Sequence, residues 1–173
     1  MIMNLPRIKP FSYKTADQYY FKLSLIFYLL AAVPMVPFII VYLQMQEGEL
    51  TPPLGAELNA TITAILAVFA FGNVVLGMRL YKQEIQPLKS LTSLRDRLDL
   101  FLHASVVQYS CMEAATIMAV AGLYLTRMTF FVLLYLGMLI IFAQVRPEMR
   151  RISKQLKMTK EEEEIVYQKK EID

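Results

Sequence analysis

The sequence predicts an all-α fold: an integral membrane four-helix bundle, N-in and C-in, with a cytoplasmic amphipathic helical tail at the C-terminus. Three observations carry that expectation. Four apolar runs, residues 23–44, 58–78, 100–125 and 129–145, are each close to the ~20 residues a helix needs to cross a hydrocarbon core about 30 Å thick. Apolar residues make up 56% of the chain and charged ones only 19%, which sets it apart from ordinary soluble domains. If each run crosses once, seventeen of the eighteen Lys and Arg residues share one side, leaving Arg127 alone on the other. Basic loops stay on the cytoplasmic face, so this asymmetry orients the bundle.

The first run could be a cleaved signal peptide, given Ala31 and Ala32, but it continues through Pro34 to Leu43, which favours an uncleaved span. Pro34 and Pro37 remove backbone donors and predict a kink toward the outer leaflet. An acidic outer loop follows, with Glu47, Glu49 and Glu57 and the helix-stopping Thr51-Pro52-Pro53. The second run is rich in small residues, Ala60, Ala64, Ala67, Ala70, Gly72 and Gly77, which let helices approach closely in lipid and predict an inner, well-packed helix. Asn73 and Gln108 lie at similar distances from the cytoplasmic ends of runs two and three, so an interhelical amide pair worth ~0.6 kcal/mol is expected.

The inner loop carries Arg79, Lys82, Lys89, Arg95 and Arg97. Leu88, Leu91, Leu94 and Leu98 recur at helical spacing there, and Ser93 followed by Asp96 reads as a helix start. A cytoplasmic helix should therefore run unbroken into span three. A single helix over 100–145 would be ~69 Å long, so runs three and four must fold back at Arg127 as a tight antiparallel hairpin. Residues 1–146 thus form the membrane domain and 147–173 the tail. In the tail, Met149, Ile152 and Leu156 share one face and Arg150, Arg151, Lys154 and Lys157 surround it. That pattern describes either a helix lying on anionic lipid or a solvated tail. Thr159 and Glu162 form a capping box, with Glu161 to Glu164 at the start of the last helix and Lys169 and Lys170 at its end. Tyr13, Tyr19, Tyr20 and Tyr81 fall at inner ends of the spans and Tyr42 and Tyr124 at outer ends, as interfacial aromatics do.

Chemistry-bearing motifs are few. A lone Cys111 and a lone His103 exclude an internal disulfide and a bis-histidine haem from one chain. No cluster has metal-ligand spacing, so neither a metal nor a cofactor is expected. Phosphate-binding loops, nucleophile triads and nucleic-acid modules are likewise missing from the sequence.

Glu113 stands apart, because hydropathy places it in the middle of span three. An ionised group there is disfavoured by about 2.5–3.5 kcal/mol on insertion scales, so the carboxyl needs a partner, a water-filled cavity or a proton. Tyr109 is the hydrogen-bonding residue on its helical face, with Thr116 nearby. Glu113, Tyr109 and Thr116 then form either a proton or cation site or a neutral clamp between helices. The opposite face presents the small residues Ala104, Cys111, Ala115, Ala119 and Gly122, a seam for close packing.

Met112-Glu113 in mid-span three, followed by Arg146-Pro147, Arg151-Ile152, Leu156-Lys157-Met158 and Glu162, resembles a broad group of small bacterial four-span inner-membrane proteins without assigned function. The resemblance covers the second half of the chain. It implies a bacterial inner membrane and a helical cytoplasmic tail, and it assigns no activity to any residue. The expected role is non-enzymatic: association as a homo-oligomer or as a subunit or scaffold of a membrane complex, with anionic lipid at the cytoplasmic face. The alternative is a small oligomeric channel or proton-linked transporter centred on Glu113.

Overall fold

The computed structural model describes residues 13–48, 55–168 and 172. Glu49, the Thr51-Pro52-Pro53 stop and Lys169 and Lys170 lie outside the described residues. Among the described residues seven α-helices follow in order: α1 Ala16–Ala32, α2 Met35–Gln46, α3 Ala56–Glu84, α4 Leu94–Thr126, α5 Thr129–Gln144, α6 Met149–Leu156 and α7 Lys160–Tyr167, with a short 3-10 turn at Gln86–Ser90 between α3 and α4.

Among the described residues three stretches are long and apolar enough to cross a membrane: Ala16–Gln46, Leu58–Leu88 and Leu94–Thr126. Helix α5 has 16 residues, about 24 Å at 1.5 Å per residue, and a fourth crossing arises only if it is counted with α6, from which it bends by 65°. The architecture is compatible with a multi-pass membrane protein of three or up to four crossings.

Each break has a local cause. Thr15 starts α1 by accepting a hydrogen bond from the Gln18 amide at 3.4 Å. Pro34, which cannot donate to the preceding turn, separates α1 from α2, so the expected kink is a full break in hydrogen bonding within one apolar stretch. Ser93 is extended and opens α4 without a side-chain cap bond. From Leu94 the helix runs into the apolar run unbroken, whereas Leu88 falls in the 3-10 turn ahead of it. The α4–α5 hairpin is as tight as expected. Arg127 adopts the left-handed conformation (φ 56°), its amide donates to the Leu123 carbonyl, and α5 starts two residues later.

Helix α4 is central. Half of its apolar window is buried, against 17% for Leu58–Leu88, and α1, α2, α3, α5 and α6 all pack on it. Two cores lie along its length. One joins Leu23 and Phe27 of α1 to Leu98, Tyr109 and Phe142, and extends to Ile152, Leu156, Val166 and Ile172 of the tail. The other joins Val41 of α2 and Ala70 and Val74 of α3 to Ala115, Ala119 and Leu123 of α4 and Phe131 and Tyr135 of α5. Phe38 stacks on Tyr135 with centroids 3.9 Å apart.

The expectation that span two is an inner helix is corrected: α3 is peripheral and packs chiefly on α4. Its small residues still act as expected on one face. Ala70 and Val74 are buried there, and a Cβ on Gly77 would lie 2.8 Å from the Cys111 Cβ. The other face exposes Ile65, Val68, Phe69, Val75 and Leu76. Lipid accepts such a surface without penalty, so an apolar helix in a bilayer has no need of an inner position. Exposed Phe21, Leu25, Leu29, Ile40, Leu133 and Ile140 continue the apolar surface on the remaining helices.

Gly122 fixes the approach of α4 and α5, because a Cβ there would meet the Phe131 ring at 2.2 Å and Phe131 is fully buried. Gly122→Ala should therefore destabilise the bundle by about 1–3 kcal/mol, read as a lower unfolding midpoint in detergent. Adding Phe131→Leu should recover part of the loss. Equal midpoints for wild type and Gly122→Ala would refute the close approach.

Candidate functional site

Polar and charged groups converge at the end of the bundle where α1 and α4 start, α3 ends and the tail returns. Three tyrosines anchor it. The Tyr13 hydroxyl donates to the Asp99 carboxylate at 2.7 Å, Tyr19 donates to the Leu98 carbonyl at 2.9 Å and Tyr20 to the Pro147 carbonyl at 3.2 Å. Tyr13 and Tyr19 are each 2% exposed and meet edge to face at 5.1 Å. Their expected place in an interfacial aromatic belt is corrected: they bind the N-terminal segment to α4. Burial, and then the bond to Asp99, hold the Tyr13 phenol well above its ordinary value.

The tail docks through its apolar face. Ile152, Ser153 and Leu156 are buried in the first core, and Arg150, Arg151, Lys154 and Lys157 are exposed around them. The protein itself occupies the apolar face of α6. Arg151 donates to the Gln144 carbonyl at the end of α5.

Arg97 joins the two tail helices to α4. Its Nη1 donates to the Leu156 carbonyl at 3.1 Å, at the end of α6, and its Nη2 pairs with Glu162 Oε1 in α7. The other oxygen of Glu162 accepts from the Thr159 amide at 2.8 Å, which completes the expected capping box. One carboxylate therefore caps α7 and binds α4. Sequence reasoning counted Arg97 only as loop charge, since nothing local links it to a residue 65 positions away.

Two cavities flank this junction. The larger, about 590 Å³ and half-enclosed, is lined by Arg97, Lys157, Tyr81, Gln86 and Gln155 over an apolar floor. The smaller, about 10 Å³, has room for roughly one water among Ser105, Gln108, Tyr109 and Arg151. Tyr81, whose hydroxyl donates to Gln155 Oε1 at 2.7 Å, lines both.

The expected pair and triad both come apart. Gln108 is buried beside the small cavity, whereas the Asn73 amide donates to the Phe69 carbonyl in its own helix at 2.9 Å. Helix register explains the mismatch: Gly77 lies against Gln108 and Cys111, so Asn73, a turn farther along the antiparallel helix, passes deeper residues of α4. Tyr109 is 2% exposed and donates to the Val145 carbonyl at 3.3 Å. Helical side chains lean toward the N-terminus of their helix, which carries the Tyr109 hydroxyl away from Glu113, one turn C-terminal to it. Thr116 is buried and donates to the Glu113 backbone carbonyl at 2.7 Å, not to its carboxyl.

Glu113 itself is partly exposed, on the edge of the α4 face that carries exposed Ser110, Ile117 and Tyr124. Among the described residues no side chain hydrogen-bonds its carboxyl, and it lines neither cavity. Also among the described residues, no group of three His, Cys, Asp or Glu could hold a metal ion. Comparison with known proteins finds no matching family model, curated protein or solved structure.

Two predictions test the anchors. Arg97→Ala should release α6 and α7, seen as faster amide exchange across 150–167 with protection of α4 and α5 retained; unchanged tail exchange would exclude the clamp. Tyr13→Phe removes a bond to a charged acceptor and should lower stability by about 1.5–3 kcal/mol near neutral pH. The folded state favours the neutral phenol, so its contribution is complete below pH ~10 and is lost as pH rises toward the raised folded value. The gap in unfolding midpoint between wild type and Tyr13→Phe should shrink above that pH.

Proposed function

We propose that the chain is a multi-pass protein of a bacterial inner membrane, with both termini cytoplasmic, that works by association and not by catalysis. It acts as a homo-oligomer or as a subunit or scaffold of a membrane complex. The single observation that carries this reading is the Glu113 carboxyl, mid-way along the apolar part of α4 and turned to the side of the subunit without a hydrogen-bonding side chain among the described residues. In hydrocarbon such a group is stabilised by a partner, and the open face of α4, with Ser110, Ala114 and Ala121 beside it, admits a neighbouring helix at close range. A neutral carboxyl both donates and accepts hydrogen bonds, so it serves as a clamp between subunits.

The charge asymmetry supports the orientation: the tail, the N-terminal segment and the connection from α3 to α4 hold the basic residues, while Glu47 and Arg127 lie at the other end. The bacterial setting rests on the sequence resemblance. Exposed Arg150, Arg151, Lys154 and Lys157 offer the docked tail to anionic lipid or to an acidic partner.

Substitution at Glu113 tests the reading. Glu113→Gln keeps both hydrogen-bonding roles and should preserve stoichiometry in mild detergent, whereas Glu113→Leu should shift the assembly to monomer. An unchanged oligomer in Glu113→Leu would remove the clamp. Proton flux in liposomes that Glu113→Gln abolishes would favour the transporter reading instead.

A further inference from the structure

We infer that the larger cavity at the basic end binds the phosphate headgroup of an anionic phospholipid. The cleft has both polar and apolar lining residues, as a lipid headgroup with its first methylenes requires. Lys157 brings positive charge, Arg97 a guanidinium paired with Glu162, Tyr81, Gln86 and Gln155 bring hydrogen-bonding groups, and Ile85, Leu88, Leu91 and Leu156 are the apolar lining; among the described residues no carboxylate lines it. Gln155 accepts the Tyr81 hydroxyl through Oε1, which leaves its amide NH₂ to donate. Arg97 lines the cleft with its two terminal nitrogens already engaged by the Leu156 carbonyl and Glu162.

Depth gives the second argument. Tyr81 follows the apolar run of α3 by one turn and Arg97 precedes that of α4 by about one turn, so the cleft sits where headgroups meet the hydrocarbon edge. A volume of about 590 Å³ takes a phosphate with its glycerol and the first methylenes of a chain, and the half-enclosed shape lets the rest of the chain lie outside. A free anion would satisfy the charge but leave half-buried Ile85 and Leu91 uncovered, which favours the lipid. Lys157 is set over the cleft by its left-handed backbone (φ 49°), the turn that ends α6, so the docked tail builds one wall. The inference needs only that α3 and α4 cross a bilayer, and a monomeric chain would bind equally well.

The full chain in a neutral detergent, titrated with dioleoylphosphatidylglycerol or dioleoylphosphatidylcholine and followed by native mass spectrometry, tests it. The phosphatidylglycerol adduct should persist at collision energies that strip phosphatidylcholine. Lys157→Asn removes the charge while suiting the left-handed turn, and Gln86→Glu adds a carboxylate of the same shape; each should weaken phosphatidylglycerol binding about fivefold and leave phosphatidylcholine unchanged. Amide exchange in the tail should match wild type in both, which separates lost binding from an undocked tail. Equal retention of the two lipids, or wild-type binding by both variants, would overturn the inference. Competition by millimolar inorganic phosphate that displaces the lipid completely would assign the cleft to a soluble anion instead.

Discussion

A helix longer than the bilayer is thick organises this molecule. Helix α4 has 33 residues, about 50 Å at 1.5 Å per residue, where a hydrocarbon core of roughly 30 Å accommodates about 20. The polar surplus, residues 94–99, lies at the basic end, and there the N-terminal segment and the tail attach. Tyr13 and Tyr19 bond to Asp99 and to the Leu98 carbonyl, and Arg97 carries the α6–α7 junction. Without that protruding turn the tail would have only the short ends of α3 and α5 to pack against. A shorter α4 would leave the apolar face of α6 to lipid or water.

Within the membrane part, close approach does the work that water exclusion does elsewhere. Gly77 against Cys111 and Gly122 against Phe131 bring α3 and α5 onto opposite parts of α4 at distances that a single methyl group would disturb. Fully buried Ala70, Ala104, Ala115 and Ala119 extend this tight packing. Large side chains then fill the wider gaps, as Phe27 does between Tyr109 and Phe142, with ring centroids 5.2 and 5.9 Å away.

Features written in local chemistry were legible in the sequence. Pro34 announced the break in the first apolar stretch, the short link at Arg127 required the hairpin, and Thr159 with Glu162 gave the start of α7. The position of α3 was not legible, because lipid and protein interior are equally apolar and the pattern of a spanning helix does not mark its inward face. Tyr109 shared a helical-wheel face with Glu113 but not a direction, since spacing records angle and omits the lean of the side chain. Arg97 and Tyr13 depend on partners 65 and 86 positions distant, a separation that periodicity does not register.

The two polar features of α4 are kept apart by the same geometry. At the basic end, Ser105 and Gln108 face the small cavity, and beyond them Phe27, Tyr109 and Phe142 fill the interior between α1, α4 and α5. Glu113 lies one turn farther along but on the side of the helix, so a route through the interior from the basic end meets the rings before the carboxyl. The open face of α4 leaves Glu113 accessible laterally, which is the geometry that the proposed contact with an adjoining helix requires. The tail, held by Arg97 about four turns away along α4, lies apart from that face.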